Sequence, residues 1–84
     1  MRLEEAFGEV FRAARRQRGL SQEQLAFEAG MERNYVSLIE LGRNSPSVRM
    51  VFKLCKALGV QPSVLLSRVE DQMRGSPKKR ASKR

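Results

Sequence analysis

The sequence predicts an all-α fold of five helices, and three observations carry that reading. Apolar residues recur at intervals of three and four along most of the chain, the spacing of a helix with one buried face. Gly19, Gly30, Gly42 and Gly59 each close one such stretch, as helix-ending glycines do. No run alternates with a period of two for the length a half-buried strand needs.

The first helix is expected over 3–18, with Leu3, Ala6, Phe7, Val10, Phe11 and Ala14 on one face. Arg12, Arg15, Arg16 and Arg18 crowd its last turns, where positive charge suits the helix dipole. Ser21-Gln22-Glu23-Gln24 reads as a capping box that opens a short helix over 21–29, with Leu25, Ala26 and Ala29 inward. A third helix over 32–41 turns Val36 and Ile39 inward. Ser45-Pro46-Ser47 makes a turn, and Ser47 caps a fourth helix over 47–58 with Val48, Val51, Phe52, Cys55 and Leu58 inward. Pro62 suits the first turn of a fifth, over 62–73, which carries Leu65, Leu66, Val69 and Met73 on one stripe. After Gly75-Ser-Pro77 the chain is polar and cationic and has nothing with which to bury a core. The expected organisation is one domain over 1–74 and a basic disordered tail over 75–84.

Composition narrows the function. The 84 residues suit one domain. Seventeen Lys and Arg face nine Asp and Glu, a formal charge of +8, which favours a polyanionic partner. Five of those cations (Lys78, Lys79, Arg80, Lys83 and Arg84) stand in the tail, so in the body twelve exceed nine acids by only three. The tail suits either nonspecific phosphate binding or a solubilising role. The chain has no His, and its only Cys is Cys55, read as a small core side chain. Zinc sites and His-based triads are therefore excluded. With no nucleophile–base pair, metal-ligand cluster or phosphate-cradling glycine loop, no enzyme activity, metal or cofactor is expected. The N-terminus lacks the apolar run of a signal peptide, and no stretch approaches the roughly 18 apolar residues of a membrane span. A soluble cytoplasmic protein without a membrane partner is the expectation.

Two short helices joined through Gly30 have the layout of a helix-turn-helix, in which the bend needs a backbone that glycine adopts freely. Ala26 supplies a small side chain where the two helices approach. The run Leu20-Ser-Gln-Glu-Gln-Leu-Ala26, with Ala29-Gly30, Tyr35-Val-Ser-Leu-Ile-Glu40, Gly42, Pro46-Ser47 and Ala57-Leu-Gly-Val60, resembles the Xre/Cro phage-repressor-type helix-turn-helix family over roughly residues 7–70. That family has a lambda-repressor-like DNA-binding fold. Arg33-Asn-Tyr-Val-Ser37 is also similar, over a few positions, to the recognition-helix start of restriction–modification controller proteins.

The resemblance implies that the third helix enters the major groove of double-stranded DNA, so that residues near its start meet base edges. Arg33 and Asn34 stand there, and their chemistry fits independently: an arginine fork matches guanine O6 and N7, an asparagine amide adenine N6 and N7. Ser37, one turn on from Arg33, and Tyr35 complete the expected base-contacting set. Gln22, Arg43, Asn44 and Arg49 are the expected phosphate contacts, which position without reading sequence. The resemblance also implies a structural ion pair between Arg15 and Glu40. Glu32 departs from the family, standing where a Ser, Thr or Asp cap is common. The implied function is a transcriptional regulator that binds an operator as a homodimer, with Leu65, Leu66, Val69 and Met73 as the expected interface. The competing expectation is an antitoxin-like or adaptor protein whose main partner is another protein, since fold does not fix function.

Overall fold

The computed structural model describes residues 1–75, which form α1 (Leu3–Arg18), α2 (Gln22–Ala29), α3 (Arg33–Glu40), α4 (Val48–Leu58) and α5 (Pro62–Met73). Helix ends fall within one residue of those expected, and no strand occurs among the described residues. Residues 76–84, assigned to the tail, lie outside the described residues.

Local chemistry sets the boundaries. The Ser21–Gln24 capping box closes in both directions: Ser21 Oγ accepts from the Gln24 N–H at 3.0 Å, and Gln24 Oε1 accepts from the Ser21 N–H at 2.8 Å. Ser47 Oγ accepts from the Met50 N–H at 3.2 Å to start α4. Glu32 precedes α3 without a side-chain capping bond, so α3 owes its position to tertiary packing.

All five helices feed one core. Phe11, Leu25, Val36, Ile39, Leu54, Leu58 and Leu65 are its fully buried large side chains, each worth about 1.5–3 kcal/mol of transfer free energy. Phe7 and Phe11 stack with ring centroids 6.0 Å apart. Helix α1 packs on both α3 and α5, α2 packs between α3 and α4, and α5 leaves α4 at a bend of 104°. Gly8 marks the α1–α3 crossing. A Cβ there would lie 2.5 Å from the Ile39 carbonyl oxygen and 2.7 Å from that of Glu40. Gly42, at φ +75°, lies against the start of α1, where its Cβ would come 3.2 Å from Glu5 Cα. Both ends of that crossing require glycine, one for closeness and one for backbone conformation as well.

Three expectations about facing are corrected. Val48 (75% exposed) and Phe52 (59%) lie outside the core. The stripe Val51, Leu54, Cys55 and Leu58 is the inward one, and spacing alone did not separate it from the overlapping stripe that contains Phe52. Leu3 is also exposed, in the first turn beyond the core's edge. The α5 stripe divides. Leu65 and Val69, one turn apart, are buried in the protomer's own core and are withdrawn from any interface, whereas Leu66 and Met73 remain exposed.

Candidate nucleic-acid interface

The α2–α3 corner is built by Gly30, at φ +71°, whose conformation lets the Met31 N–H reach the Ala26 carbonyl at 2.9 Å. Ala26 is buried at the crossing. Helix α3 then presents two distinct faces. Its buried residues are Val36, Ile39 and Glu40, and none is among its first three positions. Arg33 and Asn34 are exposed there, Tyr35 and Ser37 half-buried. The Tyr35 ring packs against the core edge while Phe27 stands in solvent. Arg43 and Arg49 are exposed and Asn44 is half-buried. Arg43 and Asn44 border a shallow depression with Arg2, Glu4 and Glu5 at the start of α1, away from the first turn of α3 in sequence and structure alike.

Behind this surface sits a buried polar cluster centred on Glu40, whose side chain has no exposed area. Arg15 grips the carboxylate with two bonds, Nε to Oε2 at 2.5 Å and Nη2 to Oε1 at 3.0 Å. Its remaining Nη1 donates to the Leu20 carbonyl at 2.8 Å. Arg12 Nε approaches Glu40 Oε1 at 3.4 Å, and Gln22 Nε2 donates to the same oxygen at 3.0 Å. Three helices thus meet on one carboxylate: α1 through Arg12 and Arg15, α2 through Gln22, and α3 through Glu40 itself. The outer end of the Gln22 amide, Oε1, accepts from Arg33 Nη1 at 3.3 Å.

The electrostatics follow from this geometry. Burial alone pushes the Glu40 carboxyl up, but hydrogen bonds from Arg15 and Gln22, the Arg15 charge and the Arg12 bond outweigh it and hold the group below its usual range. The bond to Glu40 raises Arg15 against the opposing effect of burial. The unfolded chain therefore binds the Glu40 proton more tightly than the folded one. The cluster's contribution is whole above the unfolded value of about 4.3 and is lost as pH falls through the lower folded value. Between about pH 5 and pH 3 the native protein should lose more stability than Glu40→Gln, which lacks this proton. Urea midpoints at each pH check this, and parallel pH slopes would count against it. Burial likewise pushes the Cys55 thiol up, which suits an unreactive core side chain.

A family model for helix-turn-helix proteins matches residues 11–65. The chain belongs to the helix-turn-helix family. The control protein C.BamHI of Bacillus amyloliquefaciens is 46% identical over 61 residues, which span 71% of this chain and 75% of that protein. Among solved structures, the restriction-modification controller protein C.AhdI from Aeromonas hydrophila superposes with a TM-score of 0.72 at 40% identity, covering 74% of this chain and 90% of that one. The clp gene regulator ClgR from Corynebacterium glutamicum does so with a TM-score of 0.84 at 28% identity, covering 88% and 79%. Within this helix-turn-helix chain, sequence reading missed the second arginine of the cluster and the inward bond of Gln22. Arg12 and Arg15 are spaced to share a helix face, which was a usable signal for the first. A glutamine at a helix start gave none for the second.

Proposed function

We propose that this chain is a sequence-specific DNA-binding transcription regulator that reads operator half-sites in the major groove as a homodimer. The observation that carries the reading is the start of α3, where Arg33 and Asn34 stand exposed side by side. The relatives named above, a control protein, a controller protein and a gene regulator, support a regulator over an antitoxin-like or adaptor protein. A cytoplasmic location accords with that role; no single helix among the described residues is long and apolar enough to cross a membrane.

Arg33 and Asn34 are the base-reading residues, with Ser37 and Tyr35 beside them, and Arg43, Asn44 and Arg49 hold phosphates. One recognition helix reads only a few base pairs, so two half-sites are needed, about 34 Å apart on the duplex. The exposed apolar residues of α4 and α5, Val48, Phe52, Val64, Leu66 and Met73, are the surface for the second copy, in place of the buried Leu65 and Val69 of the expected stripe. An open groove of about 620 Å³ flanks Phe52, with Val60 and Pro62 on its apolar side. Such exposed apolar area is typical of association sites.

The test is selection of bound sequences from a randomised pool. Arg33→Ala should lose about 1–3 kcal/mol and relax the preference at one base position, whereas Arg49→Ala should weaken all sequences alike. Phe52→Glu should give a monomer by sedimentation and lower operator affinity. Unchanged affinity and preference in Arg33→Ala would refute the recognition-helix assignment, and a Phe52→Glu dimer would refute the interface.

A further inference from the structure

We propose that Gln22 is a positioning residue for Arg33: its amide carries the fixed location of the buried Glu40 carboxylate out to the guanidinium that reads the base. The inference rests on the base-reading role given to Arg33 above, and it revises the role of Gln22, expected from sequence to touch phosphate.

The amide has two unlike ends, a donor and an acceptor. Beside a carboxylate, only one orientation is favourable, with Nε2 turned in to donate. Here Nε2 meets Glu40 Oε1 at 3.0 Å. That oxygen cannot drift, because Arg15 Nη2 holds it at 3.0 Å and Arg12 Nε lies 3.4 Å away. With the inner end fixed by charge, the outer end must present oxygen, and a guanidinium is the complementary group. Arg33 Nη1 occupies that position at 3.3 Å. Holding Nη1 leaves other N–H groups of the guanidinium for the forked pairing with a guanine edge. An arginine otherwise free to sample many rotamers is thereby biased towards one before DNA arrives, which lowers the ordering cost of binding.

The experiment measures the sequence preference of four proteins on DNA recovered by selection: native, Gln22→Met, Arg33→Ala and the double variant. Methionine keeps the length of the side chain and removes both hydrogen bonds. Gln22→Met should reduce discrimination at the base read by Arg33 about tenfold. Affinity for unrelated DNA and the salt dependence should be unchanged, and the substitution should add nothing in the Arg33→Ala background. Uniform weakening in both backgrounds with a shallower salt dependence would mean direct phosphate contact and overturn the proposal. A lower melting temperature with discrimination intact would show a merely structural role and overturn it equally. A second arm needs no DNA: 15N relaxation of Arg33 Nε in the free protein should show greater mobility in Gln22→Met, and equal mobility would overturn positioning. If Arg33→Ala leaves discrimination intact, the base-reading assignment fails, and the relaxation arm still decides whether Gln22 holds Arg33.

Discussion

Glu40→Ala is expected to destabilise the fold by about 3–5 kcal/mol, because it strands a charge inside the protein. The Arg15 side chain is 10% exposed, and without Glu40 its one remaining side-chain bond among the described residues is to the Leu20 carbonyl at 2.8 Å. The loss is a large share of the whole: a chain of 84 residues has roughly 4–13 kcal/mol of stability in total. Arg15→Ala should be costly too, although Arg12 and Gln22 still address the carboxylate and moderate the loss. Replacing both partners with apolar residues of similar volume, as in Arg15→Met with Glu40→Leu, should cost less than either single change, since no charge is then left buried. Urea unfolding of the native protein, the two single variants and the double gives the coupling directly. Additive losses would mean that the two groups do not interact.

Gly8→Ala should destabilise by about 1–3 kcal/mol, against the sign that helix propensity alone would give. Alanine in the middle of an exposed helix is better than glycine by about 1 kcal/mol. At Gly8, however, the added carbon would fall 2.5 Å from the Ile39 carbonyl oxygen and 2.7 Å from that of Glu40. These are backbone atoms, with no rotamer to yield, so α1 must lift away from α3. That movement also stretches the Arg15–Glu40 contact, which spans the same two helices. Thermal unfolding checks the sign: a melting temperature equal to or above the native one would show that the helices do not approach so closely. Operator affinity should fall by more than stability alone explains, because α3 carries the residues proposed to read bases.

Much of this architecture was legible, for identifiable reasons. Ser21, Gln24 and Ser47 encode helix starts through bonds to residues three positions away, and such local chemistry is written in order along the chain. Helix existence and ends followed. Facing was less legible where a helix is apolar on two sides: Phe52 belongs to a stripe as regular as the one that contains Leu54 and Leu58, and only the position of the other helices decides between them. The same holds for α5, where Leu65 and Val69 enter the shared core and leave Leu66 outside. The Arg15–Glu40 pair was expected through family resemblance, not from spacing. The inward bond of Gln22 lay beyond reach, since an amide is equally at home against water, phosphate or carboxylate. Gly8 did carry a signal: an isolated glycine in a helical pattern often marks a close packing contact.

The division of α3 into a buried face of Val36, Ile39 and Glu40 and an exposed start at Arg33 and Asn34 separates the residues proposed to read bases from those that keep the protein folded. Substitutions at exposed positions such as Arg33 and Asn34 usually change stability by no more than about 0.5 kcal/mol, so these sites can be rewritten while Val36, Ile39 and Glu40 stay in place. A duplicated copy could drift towards a new operator through folded intermediates at every step. On the proposed reading, positions 33 and 34 form a small vocabulary on an unchanged grammar, and a library randomised there alone is the natural starting material for regulators with chosen targets.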